Sequence, residues 1–154
     1  MKRIKSIFLV TLFSILATAV YAQKGVGNQS GIGQSNTTLK TKQISGEVKK
    51  VLKEPCTQTT GRYDQGTHLL IETDDFGKDQ ILNIHLGPTT ELNEMTDKLK
   101  LGREISLKVF KTKDLPEKQF IAQSFVYNDH SFTLRDDNFR PFWANSRSNR
   151  RRKW

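Results

Sequence analysis

The sequence is poor in the residues that build covalent and catalytic centres. It contains a single cysteine, Cys56, and three histidines. One cysteine cannot form a disulfide within the chain, and it also excludes the Cys-x-x-Cys-His motif that attaches haem covalently. Neither a glycine-rich phosphate-binding loop nor a His-Glu-x-x-His zinc motif is present. Because no nucleophile, base and orienting group can be assembled from spacing alone, we expect a protein that is not an enzyme.

The sequence also lacks an apolar run of about 20 residues, the length that a membrane-spanning helix needs. A shorter run over residues 6–20 follows three cations at the N-terminus and leads to small residues at both peptidase positions of segment 20–22. This pattern predicts a cleavable signal peptide over residues 1–22 and a mature chain that begins at Gln23. A membrane anchor is the alternative. We therefore expect an exported protein, periplasmic or secreted, without a transmembrane segment in its mature form.

Acidic residues are missing from the C-terminal end, which changes how the net charge is interpreted. The chain has 25 Lys and Arg against 16 Asp and Glu. Three of these cations lie in the predicted signal peptide and six in the last fifteen residues, so residues 23–139 contain sixteen charges of each sign. The folded body is formally neutral. Any affinity for a polyanion is therefore expected in the C-terminal tail.

This tail, residues 144–154, is predicted to be basic and disordered. It is able to contact an anionic partner such as DNA, lipid or an envelope polymer, and the alternative is a solvated end without a ligand. The candidate contact residues are Arg147, Arg150, Arg151, Arg152, Lys153 and Trp154.

Residues 42–143 carry the alternation of short strands, whereas residues 23–41 form a Gly/Ser/Asn-rich stretch that predicts a flexible leader. The phase of the first strand breaks at residues 49–50, which predicts a bulge and a bend. A hairpin of two strands follows, then a helix that begins near Pro88 and stops at Gly102, and then two more strands and a short sixth one.

Three strands, one helix and two strands follow each other in the order of the OB-fold, a five-stranded Greek-key barrel. An SH3-like barrel is the main alternative, but it has no helix of this length at that point. We therefore expect an all-β fold with one short helix, namely an OB-fold-like five-stranded barrel plus an appended C-terminal strand.

Two segments resemble those of known proteins. His85-Leu86-Gly87-Pro88 and the stretch Leu134–Trp143 are similar to the HLGP and LRDxNxxPxW segments of a group of exported bacterial OB-fold-like proteins. The resemblance covers roughly residues 44–143. The export signal and strand order also look, more distantly, like the periplasmic bacterial OB-fold family of stress-associated proteins. These resemblances imply an exported OB-like module and supply neither a reaction nor a ligand.

His68 and His85 form the sharpest local feature. The favoured hairpin register pairs residues whose numbers sum to 153, so that Leu69 meets Ile84 in the core and the two histidines meet on the outer surface. Opposed Cβ atoms lie about 5 Å apart, which allows two imidazoles to share a Zn²⁺ or copper ion. Ordinary surface histidines are the alternative. The candidate supplementary ligands are Cys56, Asp64 and Glu72.

From these observations we expect an exported, non-catalytic binding or adaptor module whose partner is a small ligand, a metal ion or an envelope protein. The ligand would contact the loop 54–65 and the outer face of the second and third strands, through Arg62, Tyr63, His68 and His85. The alternative is an envelope- or polyanion-associating protein that acts through its tail. We expect the barrel not to bind nucleic acid, since these strands offer no aromatic platform for base stacking.

Overall fold

The computed structural model describes residues 39–56, 59 and 63–145. The elements are β1 (Thr41–Pro55), β2 (Gln65–Thr73), β3 (Gln80–Pro88), α1 (Thr89–Thr96), β4 (Glu104–Phe110), β5 (Gln119–Tyr127) and β6 (His130–Thr133), followed by a 3₁₀ turn at Phe142–Asn145. Within the described residues the strand order across the sheet is β3-β2-β1-β4-β5-β6, and an additional pairing between β3 and β5 closes the barrel. This arrangement confirms the predicted OB-fold with an appended strand.

Strand β1 is long and bent because it belongs to two parts of the barrel. Its first half pairs with β4 and its second half pairs with β2. The predicted bulge is confirmed, since the β1–β2 register shifts between Val48 and Lys50. Gly46 sits at the bend, where a Cβ atom would collide with the backbone carbonyl of Glu72. The bend therefore requires a residue without a side chain.

The β2–β3 hairpin has the register that the hydrophobic pattern predicts. Leu69 pairs with Ile84, and Ile71 pairs with Leu82. The register then shifts by one residue between Thr67 and His68, which leaves Leu86 as the extra residue on β3. Such a bulge locally increases the twist and redirects the neighbouring side chains.

Helix α1 is shorter than the sequence suggests, and the expected continuation to Gly102 is wrong. The hydroxyl of Thr96 donates to the carbonyl of Leu92 at 3.0 Å, which lets the side chain compete for a backbone acceptor. Beyond this point the backbone tightens, and the Leu99 N–H bonds to the carbonyl three residues earlier. The resulting turns still bring Leu99 into the core.

One continuous apolar core fills the barrel, and helix α1 contributes to it through Leu92 and Met95. A second, smaller cluster contains Phe110, Leu115 and Ile121, with Leu39 and Phe139 packed against it.

None of the helices among the described residues is long and apolar enough to cross a membrane.

The two segments that resemble those of other proteins contact each other. Arg135 donates one hydrogen bond to the carbonyl of Leu86 at 2.9 Å and another to the carbonyl of Ala122. The indole of Trp143 lies so close to Gly87 that any Cβ atom there would collide with it. The segment Leu134–Trp143 therefore packs against the end of β3, at the two residues that follow His85.

Candidate metal site

Three side chains with metal-binding atoms meet at one end of the hairpin. Cys56 directly follows β1, His68 lies on β2 and His85 lies on β3. The predicted cross-strand pairing of the two histidines is confirmed, since His68 is the direct partner of His85. The cysteine joins them because β1 pairs with β2 up to Pro55 and so delivers the next residue to the site.

The three facing atoms form a nearly equilateral triangle. The distance from His68 Nε2 to Cys56 Sγ is 3.1 Å, and that from His85 Nδ1 to Sγ is 3.5 Å. The two ring nitrogens are 3.3 Å apart. Each of these atoms can present a lone pair to the space between them.

The expected position of the histidines on the outer surface is wrong. His68 is 3% exposed and His85 is 1% exposed. Both rings lie on the face of the hairpin opposite Leu69 and Ile84, as alternation predicts, but other parts of the chain cover this face near the histidines. Strand β5 pairs with β3 at His85, and Cys56, which follows β1, contacts the His85 ring. The site is therefore buried, although Cys56 remains partly accessible.

Local backbone structure holds Cys56 in place. Its carbonyl accepts hydrogen bonds from the hydroxyl of Thr59 at 2.7 Å and from the Thr59 N–H at 3.2 Å. Gly66 leaves the space that the thiol occupies, because a Cβ atom there would lie 2.7 Å from Cys56 Cβ and 3.1 Å from His85 Cε1. The glycine is thus a requirement of the cluster.

Asn83 fixes the orientation of His68. Its Oδ1 lies 2.8 Å from His68 Nδ1, and because that oxygen is an acceptor the ring must carry its proton on Nδ1. Nε2 is then left unprotonated and faces the other two ligand atoms. Sequence reasoning missed this residue, although its place two positions before His85 puts both on the same strand face.

The electrostatic environment keeps His85 neutral. Burial lowers its pKa well below the usual value, and the positive charge of Arg135 and the neighbouring His68 add to the effect. Arg135 is itself buried, which lowers its pKa to about 9. Neutral imidazole is the form that binds metal ions.

The sequence of this domain matches a known protein family. The family model of the MamS/MamX magnetosome proteins matches residues 40–132, more than half of the 154 residues. The chain belongs to the MamS/MamX magnetosome protein family. The matched residues run from the start of β1 into β6, so this MamS/MamX domain includes Cys56, His68 and His85.

Other comparisons add less to the MamS/MamX assignment. No curated protein sequence matches the chain. Among solved structures, the mitochondrial single-stranded DNA-binding protein of S. cerevisiae is similar, with 12% sequence identity and a TM-score of 0.45 over 58% of this chain and 94% of that one. At such an identity the likeness concerns the fold alone.

The remaining candidate residues of this MamS/MamX chain lie apart from the cluster or outside the described residues. The hydroxyl of Tyr63 bonds to Glu91 on α1. Glu72 forms an ion pair with Lys49, and Asp64 is exposed. Neither carboxylate belongs to the group of close ligand atoms.

Several predictions about this MamS/MamX chain fall outside the described residues. These include the signal peptide, most of the leader and Arg62. The same holds for the candidate tail contacts Arg147, Arg150, Arg151, Arg152, Lys153 and Trp154. Export and tail-mediated association therefore stay predictions.

Proposed function

We propose that this MamS/MamX protein is a non-catalytic metal-binding module that works at the magnetosome. Cys56, His68 and His85 are its ligands, and the ion is zinc or copper. The observation that carries this proposal is the triangle of Sγ, Nε2 and Nδ1, whose sides measure 3.1 to 3.5 Å.

Two of these separations, 3.5 Å and 3.3 Å, match those around a coordinated ion, and the third, 3.1 Å, is slightly shorter and would have to lengthen on binding. With metal–nitrogen bonds of about 2.0 Å and a metal–sulfur bond of about 2.3 Å, neighbouring ligand atoms lie roughly 3.3–3.7 Å apart. Ordering of the rings supports the same function, since metal-binding histidines usually donate their other N–H to a fixed acceptor, as His68 does to Asn83. One thiolate and two imidazoles favour zinc or copper over magnesium or calcium.

The absence of a suitable base supports a non-catalytic role. A hydrolytic metal centre generally needs a carboxylate or another base beside the bound water. Among the described residues, which include all 16 Asp and Glu of the chain, none joins the cluster.

Isothermal calorimetry of the mature protein with Zn²⁺ tests the proposal. We expect one ion per chain at pH 7.5 and weaker binding at pH 5.5, because the ligands bind the ion in their deprotonated forms and protons compete with it as the pH falls. The double variant His68→Ala, His85→Ala should lose this binding. His130→Ala is the matched control, since that ring is exposed and bonds to the carbonyl of Asn128.

If the double variant and the His130→Ala variant bind Zn²⁺ alike, the site has been misassigned. If the wild-type protein binds neither Zn²⁺ nor a copper ion, the proposed function is wrong.

A further inference from the structure

The number of ligands in the cluster distinguishes between metal ions. All three histidines, the cysteine and all 16 acidic residues lie within the described part of the chain. Only Cys56, His68 and His85 come together there. Since every residue of these types lies in that part, the chain offers no fourth ligand of these types at the cluster. A structural zinc site takes four protein ligands, whereas a soft monovalent ion such as Cu(I) is satisfied by three.

Arg135 places a buried positive charge beside this cluster. The residue is 3% exposed, and its guanidinium donates to the carbonyl of Leu86, the neighbour of His85, at 2.9 Å. It also donates to the Ala122 carbonyl and lies over the rings of Trp143 and Phe110, whose centres are 5.1 Å and 6.0 Å from its Cζ atom. Among the described residues, none of the carboxylates forms an ion pair with it. Carbonyl dipoles and two aromatic rings therefore offset its charge.

The charge of the loaded site decides how strongly Arg135 acts on it. A thiolate, two neutral imidazoles and Cu(I) sum to zero. The same ligands with Zn²⁺ or Cu²⁺ carry one positive charge, which a neighbouring buried cation repels more strongly than it would in water. Arg135 is bonded to the carbonyl of Leu86, the residue after His85, so its charge lies close to the ligands.

We propose that the Cys56–His68–His85 site selects Cu(I) over divalent ions, and that Arg135 determines this selectivity. The inference rests on the proposed metal-binding function and specifies which ion it serves. Arg135 does not touch the metal. It acts through its charge and by its attachment to the end of β3.

Anaerobic competition titrations test the role of Arg135. Cu(I) affinity is measured against bicinchoninate and Zn²⁺ affinity against a chromophoric chelator, in wild type and in Arg135→Gln, Arg135→Lys and Arg103→Gln. We expect Arg135→Gln to lower the Kd for Zn²⁺ about tenfold, which is one unit in log Kd, and to change the Kd for Cu(I) much less. Arg135→Lys retains the charge and should retain the wild-type ratio of the two dissociation constants. Arg103 is exposed and serves as the control for a lost surface charge.

X-ray absorption of the wild-type protein provides a second test that needs no variant to fold. The Cu(I)-loaded protein should show three ligand atoms, one sulfur and two nitrogens, and the zinc-loaded protein should show an additional oxygen or nitrogen from solvent. The proposed selectivity is wrong if folded Arg135→Gln has the same ratio of Zn²⁺ and Cu(I) dissociation constants as the wild type, or if Cu(I) has four ligands. Either result leaves the proposed function intact. Failure of the wild-type protein to bind either ion overturns the proposed function itself.

Discussion

The two faces of the β2–β3 hairpin arise from the same alternation but serve different purposes. The inner face carries Leu69 and Ile84, which are fully buried among other apolar side chains. The opposite face carries His68 and His85 at one end, where neighbouring strands cover it, and Ile81, 41% exposed, at the other. The inner face therefore contributes the burial of apolar side chains. The covered end of the opposite face buries side chains that carry metal-binding atoms.

The largest effect should come from breaking the inner side of the barrel. Leu107 on β4 is fully buried, so Leu107→Ala should lower the free energy of unfolding by about 2–5 kcal/mol through lost burial and a cavity. Its neighbour Lys108 is exposed, and Lys108→Ala should change stability by less than about 0.5 kcal/mol. Urea denaturation of both variants provides the measurement. Equal effects would mean that the two faces of β4 have been exchanged.

A bound metal should make the opposite face contribute to stability as well. An ion that binds only the folded state adds about 2.7 kcal/mol when its free concentration is 100 times Kd. Urea unfolding with and without Zn²⁺ should show this gain in wild type and in Leu107→Ala. It should be absent from the His68→Ala, His85→Ala double variant. A gain that persists in the double variant would place the stabilising ion elsewhere.

The smallest effect concerns a residue that acts through another. Asn83→Leu removes the acceptor that orients His68, and we expect metal affinity to fall by about 10- to 100-fold. Asn83→Asp keeps an acceptor and should retain affinity. Leu70 is the matched control, because it pairs directly with Asn83 across the hairpin. Competition titration measures all three variants, and similar losses in Asn83→Leu and Leu70→Ala would argue for a general disturbance of the strands.

The sequence predicts the hairpin and its register well, because both depend on local apolar alternation. Leu69, Ile71, Leu82 and Ile84 can all face the core in only one pairing, and that pairing also sets His68 opposite His85. The bulge in β1 is visible for the same reason, as a break in phase.

Burial of the site could not be predicted, because it depends on contacts between distant segments. The closure of β5 onto β3 and the attachment of Arg135 to Leu86 join residues that are far apart in the chain. Cys56 was one of three possible additional ligands, and only the continued pairing of β1 with β2 as far as Pro55 selects it. The early end of α1 is not visible in the sequence, because Leu92, Met95 and Leu99 keep a helical spacing although the backbone bonds after Asp97 span only three residues.

The three proposed ligands come from different parts of the sheet, His68 from β2, His85 from β3 and Cys56 from the residue after β1, so that they meet only when the strands pair correctly. Cys56 and His68 are separated by 12 positions, His68 and His85 by 17. A hairpin that slipped by one residue would turn one imidazole towards the interior and leave the other without its neighbour. Under the proposed metal-binding function, a misregistered chain would therefore be unable to capture the ion, and only correctly paired molecules would gain its stabilisation.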